Sequence, residues 1–343
     1  MVNAILTPEE YAALLKSAMG KKAQSNERLQ KLLTDLLNSM KKPKKNWNDV
    51  GSVLNEETAM EPLIVRKALA IKRKLETVPV DIWEGQLIPG SIAFYKKGLM
   101  VSSQLPEYAA AEELTEAAKY GLSVGSIVGH IVPDYPKILR QGVSGIQDEA
   151  HNRLQVCESH EQKDFYNAVI IALDGLMKFS QRYALLCKQE AQSTSDMVRQ
   201  QELLNVAADL EHSPLYPPNT FRQAVYTIWI THIAFQLTGN DLAVGRLDQH
   251  LAGYLETDLQ QGRVTLEEAQ ELMDCLFIKF NERALDNRVA QQIMDQQKIQ
   301  QHLDKQWSNR SPFDHSTQKY NVRDSIDATN HWLQNVIVGG ILP

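Results

Sequence analysis

A histidine directly behind a glycine-punctuated apolar run is the first place in this sequence where chemistry could be done. Gly121, Gly125 and Gly129 stand four residues apart in GLSVGSIVGHI, and His130 follows at once. The short apolar steps suit a buried strand or a tight strand exit, and open parallel sheets place their ligand-facing residues at strand ends. An imidazole in that position can move a proton near neutral pH or hold a ligand, or it can be a satisfied core side chain. The glycines alone do not make a phosphate loop, because both the Lys-Ser/Thr ending and the dinucleotide spacing are missing.

A second constellation lies near position 245. Leu242 to Leu247 reads LAVGRL, a short apolar run bounded by Gly239-Asn240-Asp241 and suited to a buried strand. On such an extended segment Arg246 and Asp248 point to the same side and can pair across one residue. The pair then either holds a substrate carboxylate or locks a strand end, and ion pairs of the second kind are common. Asn240 and Asp241 stand at the mouth of the segment, where they can offer hydrogen bonds to a hydroxylated ligand or serve as ordinary turn and cap residues.

Other chemistries find little support. Cys157, Cys187 and Cys275 are widely separated and odd in number, which excludes a disulfide framework and a Cys-x-x-Cys site. The first two fall on apolar helix faces and the third beside one, so burial is expected for all three. No HExxH pair occurs; His302 and His315 with Asp304 between them read as a solvated loop, so no metal is expected. No Gly-x-Ser-x-Gly elbow presents a nucleophile.

The elements that must position these residues are mostly helical. Helices are expected at Pro8 to Met19, Asn26 to Met40 and Ala59 to Thr77; Pro43 ends the second, and the basic run Lys41 to Lys45 around it reads as a solvated face. Pro79 to Gly98 reads as extended. Pro133-Asp134 starts a helix kinked at Gly142-Val143-Ser144-Gly145, and a period near 3.6 runs from Gln162 past Cys187. Leu203, Val206, Ala207 and Leu210 face inward from the next helix. Thr220 then caps a helix with an apolar stripe from Phe221 to Ile233, and Thr265 with Glu268 forms a capping box for another. Asn287 to Gln306 reads as an exposed helix, and Val336 to Ile341 as a strand. The fold class is therefore α/β and helix-rich. Few, widely spaced strands imply parallel pairing through helical crossovers and leave unpaired edges that a partner could cover.

With 43% hydrophobic residues the chain can bury a sizeable core, and no apolar run approaches a membrane span. A net charge of −6 argues against a nucleic-acid footprint. The first residues lack the marks of a signal peptide, so the cytoplasm is the expected location.

Several phrases in order resemble one family. GHIVPDYPKILRQGVSGI (Gly129 to Ile146), PPNTFRQAVYTIW (Pro217 to Trp229), Val244 to Glu282 with its Val-Gly-Arg-Leu-Asp opening, and NVIVGG (Asn335 to Gly340) are similar to the pyruvate formate-lyase-like domain of glycyl radical enzymes. The Leu87-Ile88-Pro89-Gly90 step also looks like that family. The resemblance implies an amino-terminal helical segment over 1–50 and a truncated domain over 51–343, the amino-terminal half of a ten-stranded α/β barrel. It implies lyase or dehydratase chemistry of formate acetyltransferase or glycerol dehydratase type in anaerobic metabolism, with no bound organic cofactor. In such enzymes a glycyl radical, installed by a radical-SAM activating enzyme, abstracts hydrogen from a cysteine, and the resulting thiyl abstracts hydrogen from a small polar substrate. This sequence holds no cysteine in a Gly-Cys-Val or Cys-x-Glu setting and no Arg-Val-x-Gly-Tyr loop, so no catalytic residue is assigned and the chain alone is expected to be inactive. By resemblance His130, Asn240 and Asp241 fall at substrate-contact positions, although Asn-Asp replaces the histidine-serine pair of the glycerol dehydratase type. Arg246 and Asp248 match the family phrase and are expected to hold the barrel wall. The partner implied is the missing carboxyl-terminal half or a full-length relative; the alternative is a non-catalytic interaction module that binds through an open sheet edge.

Overall fold

A computed structural model describes residues 26–40, 45–47, 51–91, 93–94, 99–101, 104–121, 128–129 and 131–293. In chain order these form α1 (Glu27–Met40), β1 (Lys45–Trp47), α2 (Leu63–Thr77), β2 (Ala93–Phe94), β3 (Leu99–Val101), α3 (Ala111–Lys119), β4 (Val128–Gly129) and α4 (Tyr135–Val156). They continue with α5 (His160–Ser193), α6 (Met197–His212), α7 (Phe221–Leu237), β5 (Asn240–Asp241), α8 (Leu247–Gln260) and α9 (Leu266–Ile293). The expected elements at Pro8 to Met19 and Val336 to Ile341, most of the 41–45 basic run, and His302 and His315 lie outside the described residues.

Helix α7 is the centre, and its sequence says why. Fourteen of its seventeen residues are buried, so the expected stripe is in fact an apolar surface almost all the way round. Helices α2, α4, α5 and α6 all pack against it. Its start is fixed by the Thr220 hydroxyl, which accepts the Gln223 N–H at 3.2 Å, and Gly239 turns the chain out with a φ of 84°. The Leu87–Gly90 step crosses this helix: Tyr226 donates to the Leu87 carbonyl at 2.6 Å and the Trp229 indole N–H to the Gly90 carbonyl at 3.2 Å. Gly90 has a φ of 97°, and a methyl group on it would lie 2.5 Å from Ile233 Cδ1. The family-like phrase is thus a close backbone crossing.

Helix α4 begins where Pro133-Asp134 predicts, with the Asp134 carboxylate accepting the Lys137 N–H at 2.9 Å. At Gly142 the backbone leaves helical geometry (φ 66°, ψ 177°). The N–H groups freed by that kink are not lost. Val143 donates to the Pro214 carbonyl at 2.9 Å and Ser144 to the Leu215 carbonyl at 3.0 Å, so the chain leaving α6 fills the break. The capping box of α9 forms as expected, with Glu268 N–H on the Thr265 hydroxyl at 3.1 Å and Thr265 N–H on the Glu268 carboxylate at 2.8 Å.

The sheets depart from expectation in one pairing. β1 and β3 are parallel, as are β4 and β5, but β2 and β3 pair antiparallel, with Ala93 opposite Met100 and Phe94 opposite Leu99. The connection between those two strands is short enough for a hairpin. Helix α2 also starts at Leu63, four residues later than its apolar spacing implies, because Pro62 fixes the entry at its N-cap.

Arg66 of α2 tethers α3. Its guanidinium is buried and donates to the Glu61 carbonyl at 2.8 Å, to the Tyr108 carbonyl at 2.9 Å and to the Glu113 carboxylate. The Arg66 hydrogen bond, with help from the Ala110 N–H, pulls Glu113 from 4.5 down to about 2. The folded value lies below the unfolded one, so this tether stabilises the fold above about pH 4.5 and is lost as pH falls toward 2. Wild type is therefore expected to melt higher than Glu113→Gln at pH 7, with the gap closing by about pH 2. Equal melting temperatures at both pH values would discount the tether.

Candidate functional site

Strands β4 and β5 bring the two sequence constellations together. Val128 lies opposite Asn240 and Gly129 opposite Asp241 in a parallel register, and the ladder extends by an Ala243 N–H to Ile131 carbonyl bond of 3.0 Å. Positions 112 residues apart thus share one strand end. His130 lies outside the described residues; its chain neighbours Gly129 and Ile131 are the ones engaged with Asp241 and Ala243. Asn240 is half-buried and lines a cavity of about 340 Å³. Its side-chain N–H reaches the Thr238 carbonyl only at 3.5 Å, which leaves the carboxamide nearly free to meet a ligand.

The LAVGRL segment is corrected by the structure. The strand is Asn240–Asp241, and Leu247 already opens α8 with Arg246 at its N-cap. Arg246 and Asp248 do pair, with two bonds of 2.8 Å, but they meet at a helix start instead of along an extended segment. The carboxylate in the first turn of α8 also suits the positive end of that helix. Both side chains are about a quarter exposed, which favours the lock over a buried substrate clamp. Gly245 explains its place in the phrase: its φ is 72°, and a methyl group there would lie 2.7 Å from Val132 Cγ1 at the exit of β4.

Polar groups on α7 were less legible. Thr227, Thr231, His232 and Gln236 are buried among apolar residues of the helix. His232 Nδ1 stands 3.2 Å from the Tyr135 hydroxyl, and burial raises the pKa of that hydroxyl, keeping it protonated. Tyr135 in turn stacks obliquely on His250, with ring centroids 5.9 Å apart. Burial lowers the pKa of His250, favouring the neutral ring. The available signal was the interruption of an apolar helix by hydrogen-bonding side chains at positions 227, 231, 232 and 236. On α2, Lys74 is fully buried. Its amine donates to the Gln104 carbonyl at 3.0 Å and lies 4.9 Å from the Trp47 ring centroid, and burial pulls it down to about 8.

The three cysteines stand apart from the β4–β5 strand end. Cys187 and Cys275 are buried, and burial pushes both thiols up to about 12. Cys157 is half-buried at the end of α4, not on its buried face, with its sulfur 3.5 Å from the Leu154 carbonyl. Among the described residues no group of three or more His, Cys, Asp or Glu side chains could hold a metal ion, and no helix is long and apolar enough to cross a membrane.

Residues 107–342 match the family model described as pyruvate formate lyase-like. The chain belongs to the pyruvate formate lyase-like family. It is similar to the isethionate sulfite-lyase of Desulfovibrio desulfuricans, with 33% identity over 156 residues, covering 43% of this chain and 19% of the lyase. Among solved structures it resembles the glycerol-bound, B12-independent glycerol dehydratase of Clostridium butyricum, with 26% identity and a TM-score of 0.63 over 75% of this chain and 40% of that one. A glycyl radical enzyme from Archaeoglobus fulgidus matches at 25% identity and a TM-score of 0.57, again over 75% and 40%. This pyruvate formate lyase-like chain therefore spans about a fifth of the curated relative and two fifths of the solved ones. Its helix-rich fold is that of the glycyl radical dehydratases and lyases, and the kinked α4 and the Gly245 turn lie within the matched residues.

Proposed function

We propose that this chain is the amino-terminal part of a glycyl radical lyase or dehydratase and forms one wall of its substrate chamber. The observation that carries this reading is the parallel β4–β5 pair in a chain matched to the family over residues 107–342. That pairing aligns the neighbours of His130 with Asp241 and Ala243 and sets Asn240 at the same strand end. On this reading the strands belong to a barrel whose remaining strands come from other polypeptide, either the rest of a longer chain or a second one. The radical-bearing cysteine and glycine come from there too, since none of the three cysteines here stands in a Gly-Cys-Val or Cys-x-Glu setting and no Arg-Val-x-Gly-Tyr phrase occurs. What these residues do is bind and orient: Asn240 offers a carboxamide, and the Arg246–Asp248 pair fixes the turn behind it. The Tyr135–His232 contact keeps α7 and α4 in register against the strand end.

The test starts by reading the coding sequence beyond codon 343 and expressing the adjoining product with this chain. After anaerobic treatment with its radical-SAM activating enzyme, the pair should give a glycyl doublet by electron paramagnetic resonance and turn over a small substrate. Asn240→Ala should lower turnover at least tenfold while leaving the doublet intensity unchanged. A doublet from the 343 residues alone would overturn the reading, as would a complemented enzyme indifferent to position 240.

A further inference from the structure

The cavity behind Asn240 is walled by hydrocarbon from four helices. Leu75 of α2, Ile138 of α4, Leu173 and Leu176 of α5, and Ala234 and Phe235 of α7 line it. At about 340 Å³ it is equivalent to roughly ten waters and large enough for a single ring with a short substituent. Water gains little from such walls, and a small polyol gains no more, because its hydroxyls would leave solvent for carbon.

The Tyr135 and Thr238 hydroxyls in the lining are already engaged, with His232 and the Ala234 carbonyl, and two further polar side chains keep unspent capacity. One is the Asn240 carboxamide, whose weak 3.5 Å contact to the Thr238 carbonyl leaves its hydrogen-bonding capacity unspent. The other is Thr231. Along α7 the hydroxyls of Thr227 and Thr238 each donate to the carbonyl four residues back, at 2.9 and 2.8 Å. Thr231 lines the cavity, yet its buried hydroxyl has no partner. A rotation of about 120° about χ1 exchanges its methyl and hydroxyl against the cavity. The charged rim residues Asp134 and Lys137 stand at the start of α4.

From this arrangement we infer that the cavity takes a molecule with an apolar body and one hydrogen-bonding head, an aryl alcohol in size and character, with its hydroxyl on Asn240. The inference rests on the reading of Asn240 as a substrate contact and sharpens it. The cavity selects a hydrocarbon-bearing molecule over a polyol such as the glycerol bound by its solved relative.

Binding is measured without catalysis, so the result stands apart from any radical activity. Benzyl alcohol, toluene and glycerol are titrated into the full 343-residue chain, by saturation-transfer difference NMR and calorimetry. Benzyl alcohol should bind about tenfold more tightly than toluene and at least tenfold more tightly than glycerol. Asn240→Ala should bring benzyl alcohol to within about twofold of toluene. Filling the cavity should abolish both aromatic ligands, through Ala234→Phe or, if that variant does not fold, Ala172→Phe on the α5 wall. Glycerol binding as tightly as benzyl alcohol would overturn the inference. So would ligands that ignore position 240 or the filled cavity, or the absence of any binding, which would mean the chain's own side chains occupy the space in solution. A complemented enzyme without radical turnover, by contrast, would sink the family function and leave this binding result in place.

Discussion

Gly142→Ala should cost the fold about 3 kcal/mol or more, although it adds one methyl group. The residue sits at φ 66° and ψ 177°, a backbone region essentially reserved for glycine. Space is the second obstacle. The added carbon would lie 2.5 Å from the Leu215 carbonyl oxygen and 2.7 to 2.8 Å from backbone atoms of Tyr216, none of which can swing aside as a side chain would. Relief would require the 214–216 segment to lift off the kink. That would break the bonds by which Val143 and Ser144 recover the hydrogen bonding α4 gives up there. Gly262 is the matched control, with a positive φ of 64° and nothing within 4 Å of its missing methyl. Gly262→Ala should cost only about 1 kcal/mol, from conformation alone. Urea midpoints of the two variants decide the matter, and equal midpoints would show that α4 and the 214–216 segment are not seated on each other.

Lys279→Met should be comparably damaging, for an electrostatic reason. Lys279 and Glu282 are both buried, with their charged atoms 3.0 Å apart. The ammonium also donates to the Gly90 carbonyl at 2.8 Å, and the Ser91 hydroxyl to the Glu282 carboxylate at 2.6 Å. Removing one partner of such a pair weakens the hold on the other buried charge, at a cost of about 3–5 kcal/mol, whereas replacing both with apolar residues can be nearly neutral. Lys279→Met/Glu282→Leu is thus expected to be more stable than Lys279→Met alone. Burial already raises the pKa of Glu282, and loss of the neighbouring cation raises it further. The folded variant then keeps a proton that the unfolded chain releases above about 4.5, so its stability should decline as pH rises from that value. A Lys279→Met variant with wild-type stability at pH 8 would refute the pairing.

Much of this architecture was legible because local rules and tertiary contacts agree. Asp134, Thr220 and Thr265 announce three helix starts by side-chain capping, and Gly142 announces a kink, since each acts within a few residues of itself. The same holds for Arg246 and Asp248, whose pairing survives even though the segment turned out to be a helix start. The misplaced strand has a clear cause. Leu242, Ala243 and Val244 are buried by packing, and an apolar run of that length does not distinguish a strand from an extended approach to a helix. The strand pairing itself depends on Val128 meeting Asn240, which no local pattern encodes. The cavity was illegible for the same reason: its walls are ordinary apolar positions on four helices, and only their assembly leaves Asn240 and Thr231 facing a space.

The order of the elements along the chain makes synthesis itself a hazard. Helix α7 fills the middle of the molecule, yet α2, α4, α5 and α6, which close around it, all leave the ribosome first. At about 5–20 residues per second the interval from the start of α2 to the end of α7 lasts on the order of ten to thirty seconds. Throughout that time α2, α4 and α6 can pack on α5, but the apolar faces that α7 will cover stay open to chaperones and to neighbouring chains on the same message.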